Sequence, residues 1–287
     1  MAQVLNYHDA VMYETDLELF GDGGWLNDNC INWFFRVLEY DVFPGRTELL
    51  FMDPAVVACM MNQCDDPEEF VDLGKGLELE TRSMVFVPVN NASNRLSRGS
   101  HWSLLVVEGE SKRGGLRGIS SVSGTSFRHF DSSDGSNRTS AERTAAKFSR
   151  MLDDAGNKSF VVDHVRGSPQ QTNSFDCGMY TVLMAEALAS KTASALTAPA
   201  VGQSGAATPP RSSGVLRTKE NKRLRQDEAD SSDRRGDGGG GGRGIAGESS
   251  SREEACTSGM VMLSPEFVSN SRSLARERLE RCLRNQR

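Results

Sequence analysis

The 287-residue chain is 37% hydrophobic and 7% aromatic, which is enough to bury a core. Its net charge of −6 argues against a broadly basic nucleic-acid binder. A mean hydropathy of −0.46, with no apolar run approaching the ~18 residues of a membrane helix, argues against a bilayer span.

The N-terminal stretch MAQVLNYHDAVMYETDLELF has acids where a secretory signal would carry a basic start and a continuous apolar run. An intracellular protein is therefore expected, cytoplasmic, nuclear or both. The first strong element is WLNDNCINWFFRVLEY. Its Cys30, Ile31, Phe34, Phe35, Val37 and Leu38 recur at helical intervals, and Asn27 or Asp28 caps the start. MDPAVVACMMNQ opens with Asp53 as cap and Pro54 at the first helical position. DDPEEF repeats the device with Asp66, Pro67 and Glu69. Four short segments rich in Val and Phe follow, SMVFVPVN, HWSLLVVEG, SFRHFDSS and KSFVVDHV, and read as strands of one sheet. SKRGGLRGISSVSGTS, between the second and third, reads as an extended loop. Thr139 and Glu142 are spaced as a capping box ahead of a helix over AERTAAKFSRMLDDAG. CGMYTVLMAEALA is apolar nearly all round, as a helix inside a domain would be.

Residues 1–190 hold 16 basic and 27 acidic side chains, and residues 191–287 hold 17 and 12. From 191 to 260 the chain has almost no aromatics and no sustained apolar period, so burial there cannot offset ordering entropy, and disorder is expected. Its KENKRLR run is either solvating charge or a nuclear address. Order is expected to resume over 261–287. There Ser264 caps, Pro265 opens a helix, and Leu274, Leu279 and Leu283 recur at roughly helical spacing. The expected organisation is a catalytic domain over 1–190, an insertion over 191–260, and a C-terminal helix over 261–287 that completes the domain.

Six cysteines without a CxxC pair fit neither a disulfide framework nor a zinc site, and neither metal nor cofactor is expected. Of four histidines, His101 opens one strand. Asp131 ends another, and Cys177 opens the apolar helix, so all three sit at element ends where sites collect. A thiolate at a helix N-terminus is favoured by unpaired N–H groups and a neighbouring imidazolium. A carboxylate can orient that imidazole, and an amide such as Gln171 can donate to an oxyanion. Together they point to a cysteine hydrolase. Taken singly, Cys177 reads equally as a small packed hydrophobe, His101 as a half-buried strand residue, and Asp131 as a turn cap. His8, His129 and His164 read as ordinary surface or strand histidines.

The motif order WLND (25–28), HWSLLV (101–106), FDS (130–132) and QTNSFDCGMY (171–180) resembles the ubiquitin-like protein proteases, the Ulp or sentrin-specific cysteine proteases. FMDPAVVACMM followed by VFVPVNNASNRLSRGSHWSLLVV is similar to the branch acting on the neddylation modifier more than to branches acting on SUMO. The resemblance implies an α+β, papain-like fold of the Ulp type, with a central mixed sheet flanked by helices and the nucleophile at the N-terminus of a buried helix. It implies His101 as base, Asp131 as its orienting partner, Gln171 as oxyanion donor, with Gln170 the alternative, and Cys177 as nucleophile. It also implies a slot for a Gly-Gly tail, with Trp25 as lid, Trp102 as floor and Asp28 on the modifier. The expected partner is that modifier and its conjugates, with no nucleic acid or membrane partner and a monomeric enzyme. The acidity of residues 1–190 tilts the choice toward a basic-surfaced modifier over the acidic SUMO type.

Overall fold

The computed structural model describes residues 2–92, 99–109, 111–112, 115–116, 118–152, 159–197 and 263–285. An antiparallel hairpin, β1 (Gln3–Tyr7) and β2 (Ala10–Tyr13), leads through a short helix α1 (Glu14–Glu18) to α2 (Asp28–Val37). Asn27 caps α2 by accepting from the Cys30 N–H at 3.0 Å. The apolar stripe then continues into a π-helical turn, Leu38–Val42. β3 (Leu49–Phe51) precedes α3 (Pro54–Asn62), which starts as expected, with Asp53 accepting from the Ala55 N–H at 2.7 Å and Pro54 in the first turn. α4 (Pro67–Gly76) carries the Asp66/Glu69 capping box.

The main sheet comprises β3, β4 (Met84–Asn90), β5 (Trp102–Gly109), β8 (Thr125–Phe130) and β9 (Val162–His164), in the spatial order β3-β4-β5-β8-β9. The inner pairs β4/β5 and β5/β8 are antiparallel, and the outer pairs β3/β4 and β8/β9 are parallel. The sheet is therefore mixed and helices cover both faces. Pro88 is tolerated in β4 because β3 ends opposite Phe86, leaving β4 without a ladder partner on that side. A two-residue hairpin, β6 (Ser111–Lys112) and β7 (Gly115–Leu116), lies in what reads from sequence as a plain loop.

Side-chain alternation divides the sheet's interior into two cores. Phe86, Leu104, Val106 and Phe130 pack with α2, the hairpin, α6 (Cys177–Thr197) and α7 (Pro265–Asn285). Val85, Val87, Leu105, Val107 and Phe127 pack with α3, α4 and α5 (Arg138–Ser149). Burial on both faces explains why β4 and β5 read as near-continuous apolar runs.

Three expectations need correction. Thr139 and Glu142 do not cap α5: the helix begins at Arg138 after Asn137, and the Glu142 carboxylate faces His164 instead. α6 runs on to Thr197, past the expected boundary at 190, while residues 198–260 of the expected insertion lie outside the described residues. α7 starts at Pro265 with Ser264 accepting from the Phe267 N–H, but its buried face is Val268, Arg272, Ala275 and Leu279. Leu274 is 64% exposed. The helix is inserted by a stripe that includes a charge, which a count of leucines does not reveal.

Candidate active site

His101 and Asp131 meet across β5 and β8. Asn91 shapes the turn before His101, its side-chain oxygen accepting from the N–H groups of Ser100 (2.6 Å) and His101 (3.1 Å). The imidazole Nε2 lies 2.6 Å from Asp131 Oδ1, with both side chains buried. Asp131 is held from three directions, since Oδ1 also accepts from the Ser133 N–H at 3.0 Å and Oδ2 from the Asn137 N–H at 2.9 Å. Burial pushes the carboxyl pKa up, but the His101 hydrogen bond and these two N–H groups outweigh it and hold the group below its ordinary value. Burial likewise opposes the charged form of His101. Its hydrogen bonds to Asp131 and to Cys177 prevail and raise it to about 9. Cys177 thus lies within hydrogen-bonding reach of the same imidazole that Asp131 holds.

Cys177 is the first residue of α6 and is buried. Asp176 stands immediately before the helix, its carbonyl accepting from the Tyr180 N–H at 2.9 Å. Its carboxylate is paired with Arg272 of α7, which donates from Nε (3.0 Å) and Nη2 (2.7 Å). The same guanidinium reaches the Leu19 carbonyl at 2.7 Å, on the loop that leads to Trp25. One buried cation thus ties the start of the Cys177 helix to the segment bearing the expected lid.

That segment also approaches α6 directly. A β-carbon at Gly178 would lie 2.9 Å from Leu26 Cβ, so only glycine admits the contact without displacement. Trp102 is 7% exposed, and its indole N–H donates to the Leu26 carbonyl at 2.8 Å. Trp25, one residue earlier, is 44% exposed. Asp28 lies in the first turn of α2, where burial first and Asp53 second raise its carboxyl pKa, against a backbone hydrogen bond that lowers it.

The two glutamines separate clearly. Gln170 donates both Nε2 hydrogens, to the Asp131 and Ser168 carbonyls at 2.9 Å, and accepts from the Asp134 N–H. It is spent on the turn behind Asp131. Gln171 accepts from the Ser132 hydroxyl at 2.7 Å and donates to the Asn173 carbonyl at 2.6 Å, which leaves one of its two N–H donors for a ligand.

Other cysteines differ in kind from Cys177. Cys30 is buried against α1, and burial above all pushes its thiol up to about 12. No group of three or more His, Cys, Asp or Glu side chains among the described residues could hold a metal ion. Sequence reading missed Asn137, Asp176 and Arg272. Asn137 gives no local signal, but an arginine in register with Val268, Ala275 and Leu279 marks a charge on a buried stripe.

This geometry coincides with the similarities found in known proteins. Residues 75–201 match the Ulp1 protease family C-terminal catalytic domain. Human sentrin-specific protease 8 is 32% identical over 189 residues, covering 64% of this chain and 80% of that protein. NEDD8-specific protease 1 of Arabidopsis thaliana is 29% identical over 188 residues, covering 65% and 75%. Among solved structures, the C-terminal Ulp1 protease domain in complex with Smt3, the yeast ortholog of SUMO, aligns with a TM-score of 0.46 and 20% identity over 65% of this chain and 76% of that one. With a cysteine, a histidine and an aspartate joined at the start of an interior helix, and with relatives of this extent, the chain belongs to the Ulp1 protease family of cysteine peptidases.

Proposed function

We propose that this peptidase cleaves after the C-terminal Gly-Gly of a ubiquitin-like modifier, the neddylation modifier being its substrate. The observation that carries the reading is the Cys177–His101–Asp131 contact chain, whose members match the family motifs in order. The choice of modifier is supported by relatives named sentrin-specific protease 8 and NEDD8-specific protease 1. The net acidity of residues 1–190 points the same way.

The Cys177 sulfur attacks the carbonyl of the terminal glycine, forming a carbon–sulfur bond, and the oxyanion is held by the remaining Gln171 N–H and by backbone N–H groups at the start of α6. Collapse expels the amine, which takes its proton from the His101 imidazolium. The neutral imidazole then draws a proton from water, whose oxygen attacks the thioester, releasing the modifier and restoring the imidazolium beside the freed Cys177 sulfur. Asp131 keeps the ring oriented throughout and does not exchange a proton itself. In this reading Trp25 and Trp102 flank the Gly-Gly tail, and a passage between them too narrow for a β-carbon selects glycine. Asp28, beside it, supplies a polar contact to the modifier's body.

The test is parallel labelling of the protein by C-terminal electrophilic probes of the neddylation modifier, SUMO and ubiquitin. Labelling by the first alone, abolished in Cys177→Ala, is expected. Labelling by SUMO alone reassigns the substrate, and binding without labelling by any probe refutes the peptidase reading.

A further inference from the structure

Behind the catalytic pair lies a second line of buried polar groups that the mechanism does not use. His129 is a buried strand histidine in β8, two residues before Asp131. Its Nε2 is 2.9 Å from Ser103 Oγ on β5, and its Nδ1 is 3.0 Å from Nδ1 of His164 on β9. His164 Nε2 in turn lies 3.2 Å from Glu142 Oε1 on α5, at the surface. At the inner end, Asn137 Nδ2 is 3.0 Å from Ser103 Oγ and 3.2 Å from both the Val89 and the His101 carbonyls. The Asn137 backbone N–H is the donor that holds Asp131 Oδ2.

Counting hydrogens gives this line a direction. Two backbone carbonyls can only accept and an amide nitrogen cannot, so Asn137 presents Nδ2 to all three groups and shares its two hydrogens among the carbonyls and Ser103 Oγ. Ser103 accepts there and donates its own hydrogen to His129 Nε2. His129 is neutral, because burial holds it down at about 4 against the opposing effect of Asp131. Its single N–H is then on Nδ1 and donates to His164 Nδ1. His164 is left with Nε2–H, which donates to Glu142. From Ser103 outward each group donates once toward the surface, and each link fixes the tautomer or rotamer of the next.

We infer that His129 and His164 are positioning residues for the peptidase reaction, acting through Ser103 and Asn137 to hold the Asp131–His101 pair in register from the Glu142 surface. The inference rests on the catalytic reading of that pair. Removing the acceptor at His164 leaves the His129 N–H buried and unpaired. His129 recovers a partner by moving its hydrogen to Nε2 and donating to Ser103, which must then turn its hydroxyl away. Ser103 Oγ then accepts from both His129 and Asn137, and its redirected hydrogen disturbs the contact with the side-chain amide of Asn137, whose backbone N–H anchors Asp131. The charged and titratable groups around His129 are His164 on β9, Arg138 and Glu142 on α5, Asp131 after β8 and His101 at the head of β5.

The test compares wild type, His164→Leu, His164→Gln and His129→Gln on a fluorogenic C-terminal amide of the modifier, with active sites counted by the electrophilic probe. His164→Leu is expected to lower kcat per active site about three- to tenfold with KM within about twofold, and to move the alkaline limb of the pH profile downward as His101 loses its oriented carboxylate. His164→Gln, whose amide accepts on one atom and donates on the other, is expected to restore most of the loss. An active wild type whose variants keep wild-type kcat per site and an unmoved pH profile overturns this inference alone. A fall in activity matched by the fall in countable sites, with kcat per site unchanged, overturns it too by reducing the line to a packing role. A wild type inert toward every modifier overturns the peptidase reading beneath it.

Discussion

Replacing Arg272 by methionine tests whether α7 is part of the catalytic unit. Methionine keeps the chain length and apolar volume but removes every donor. Arg272 and Asp176 are 3% and 4% exposed, so the substitution strands a carboxylate in the interior with only the Asn173 side-chain N–H, at 2.7 Å, left to it. The Leu19 carbonyl loses its donor as well. Breaking one side of a buried ion pair costs about 3–5 kcal/mol. That is a large part of the ~5–15 kcal/mol that holds an ordinary domain together. For a catalytic unit of about 200 residues it corresponds to a fall in Tm of roughly 10 °C. Urea unfolding followed by tryptophan fluorescence measures the loss. Because Asp176 directly precedes Cys177, kcat per active site should fall below wild type at temperatures where the variant is folded. Adding Asp176→Asn removes the stranded charge, so the double variant should regain a substantial part of the stability. A loss below ~1 kcal/mol in Arg272→Met, or a double variant whose losses simply add, refutes the reasoning that this pair couples α7 to the nucleophile.

Five other outcomes follow from the geometry. His101, raised from 6.5 to about 9 by Asp131 and Cys177 against the opposing effect of burial, should stay cationic at neutral pH, so kcat/KM should decline as pH rises through about 9. The same pairing contributes stability that is fully present below pH 6.5 and lost through about 9, on the order of 3 kcal/mol, readable as a falling urea midpoint across that window. Asp131→Asn should bring the His101 titration down toward its usual range by NMR; an unmoved titration would show that the carboxylate is not its main partner. Gly178→Ala should raise KM by pushing Leu26, and with it the adjoining Trp25, away from its present position, since the new methyl would sit 2.9 Å from Leu26 Cβ, and an unchanged KM would mean that the segment yields freely. Trp25→Ala should reduce turnover of modifier substrates while shifting Tm by no more than ~2 °C, because a side chain 44% exposed contributes little to the core; a large drop in Tm would return it to a packing role.

Elements whose signals are local were legible. Asn27, Asp53 and the Asp66/Glu69 box cap the helices they were expected to cap, because a side-chain acceptor, Pro at the first turn and an apolar stripe all lie within one turn of chain. The four expected strands are present, although KSFVVDHV contributes only Val162–His164, and β3 and the N-terminal hairpin went unread because their short segments lack a repeat long enough to notice. The Thr139/Glu142 spacing misled because its acid is engaged by a histidine from another strand.

The catalytic types and their order along the chain are sequence properties, since a thiol at a helix start, an imidazole at a strand start and a carboxylate at a strand end keep their chemistry whatever surrounds them. Their meeting depends on sheet register. β5 and β8 must pair with Leu105 opposite His129 for His101 and Asp131 to share one end of the sheet. The choice of Gln171 over Gln170 also came from folding, because only the folded turn consumes both donors of Gln170. Arg272 lies 96 residues from Asp176, and His164 lies 35 from His129. No periodicity spans such distances. Such pairs arise when separate elements pack and their buried polar groups must find partners or carry the cost of desolvation.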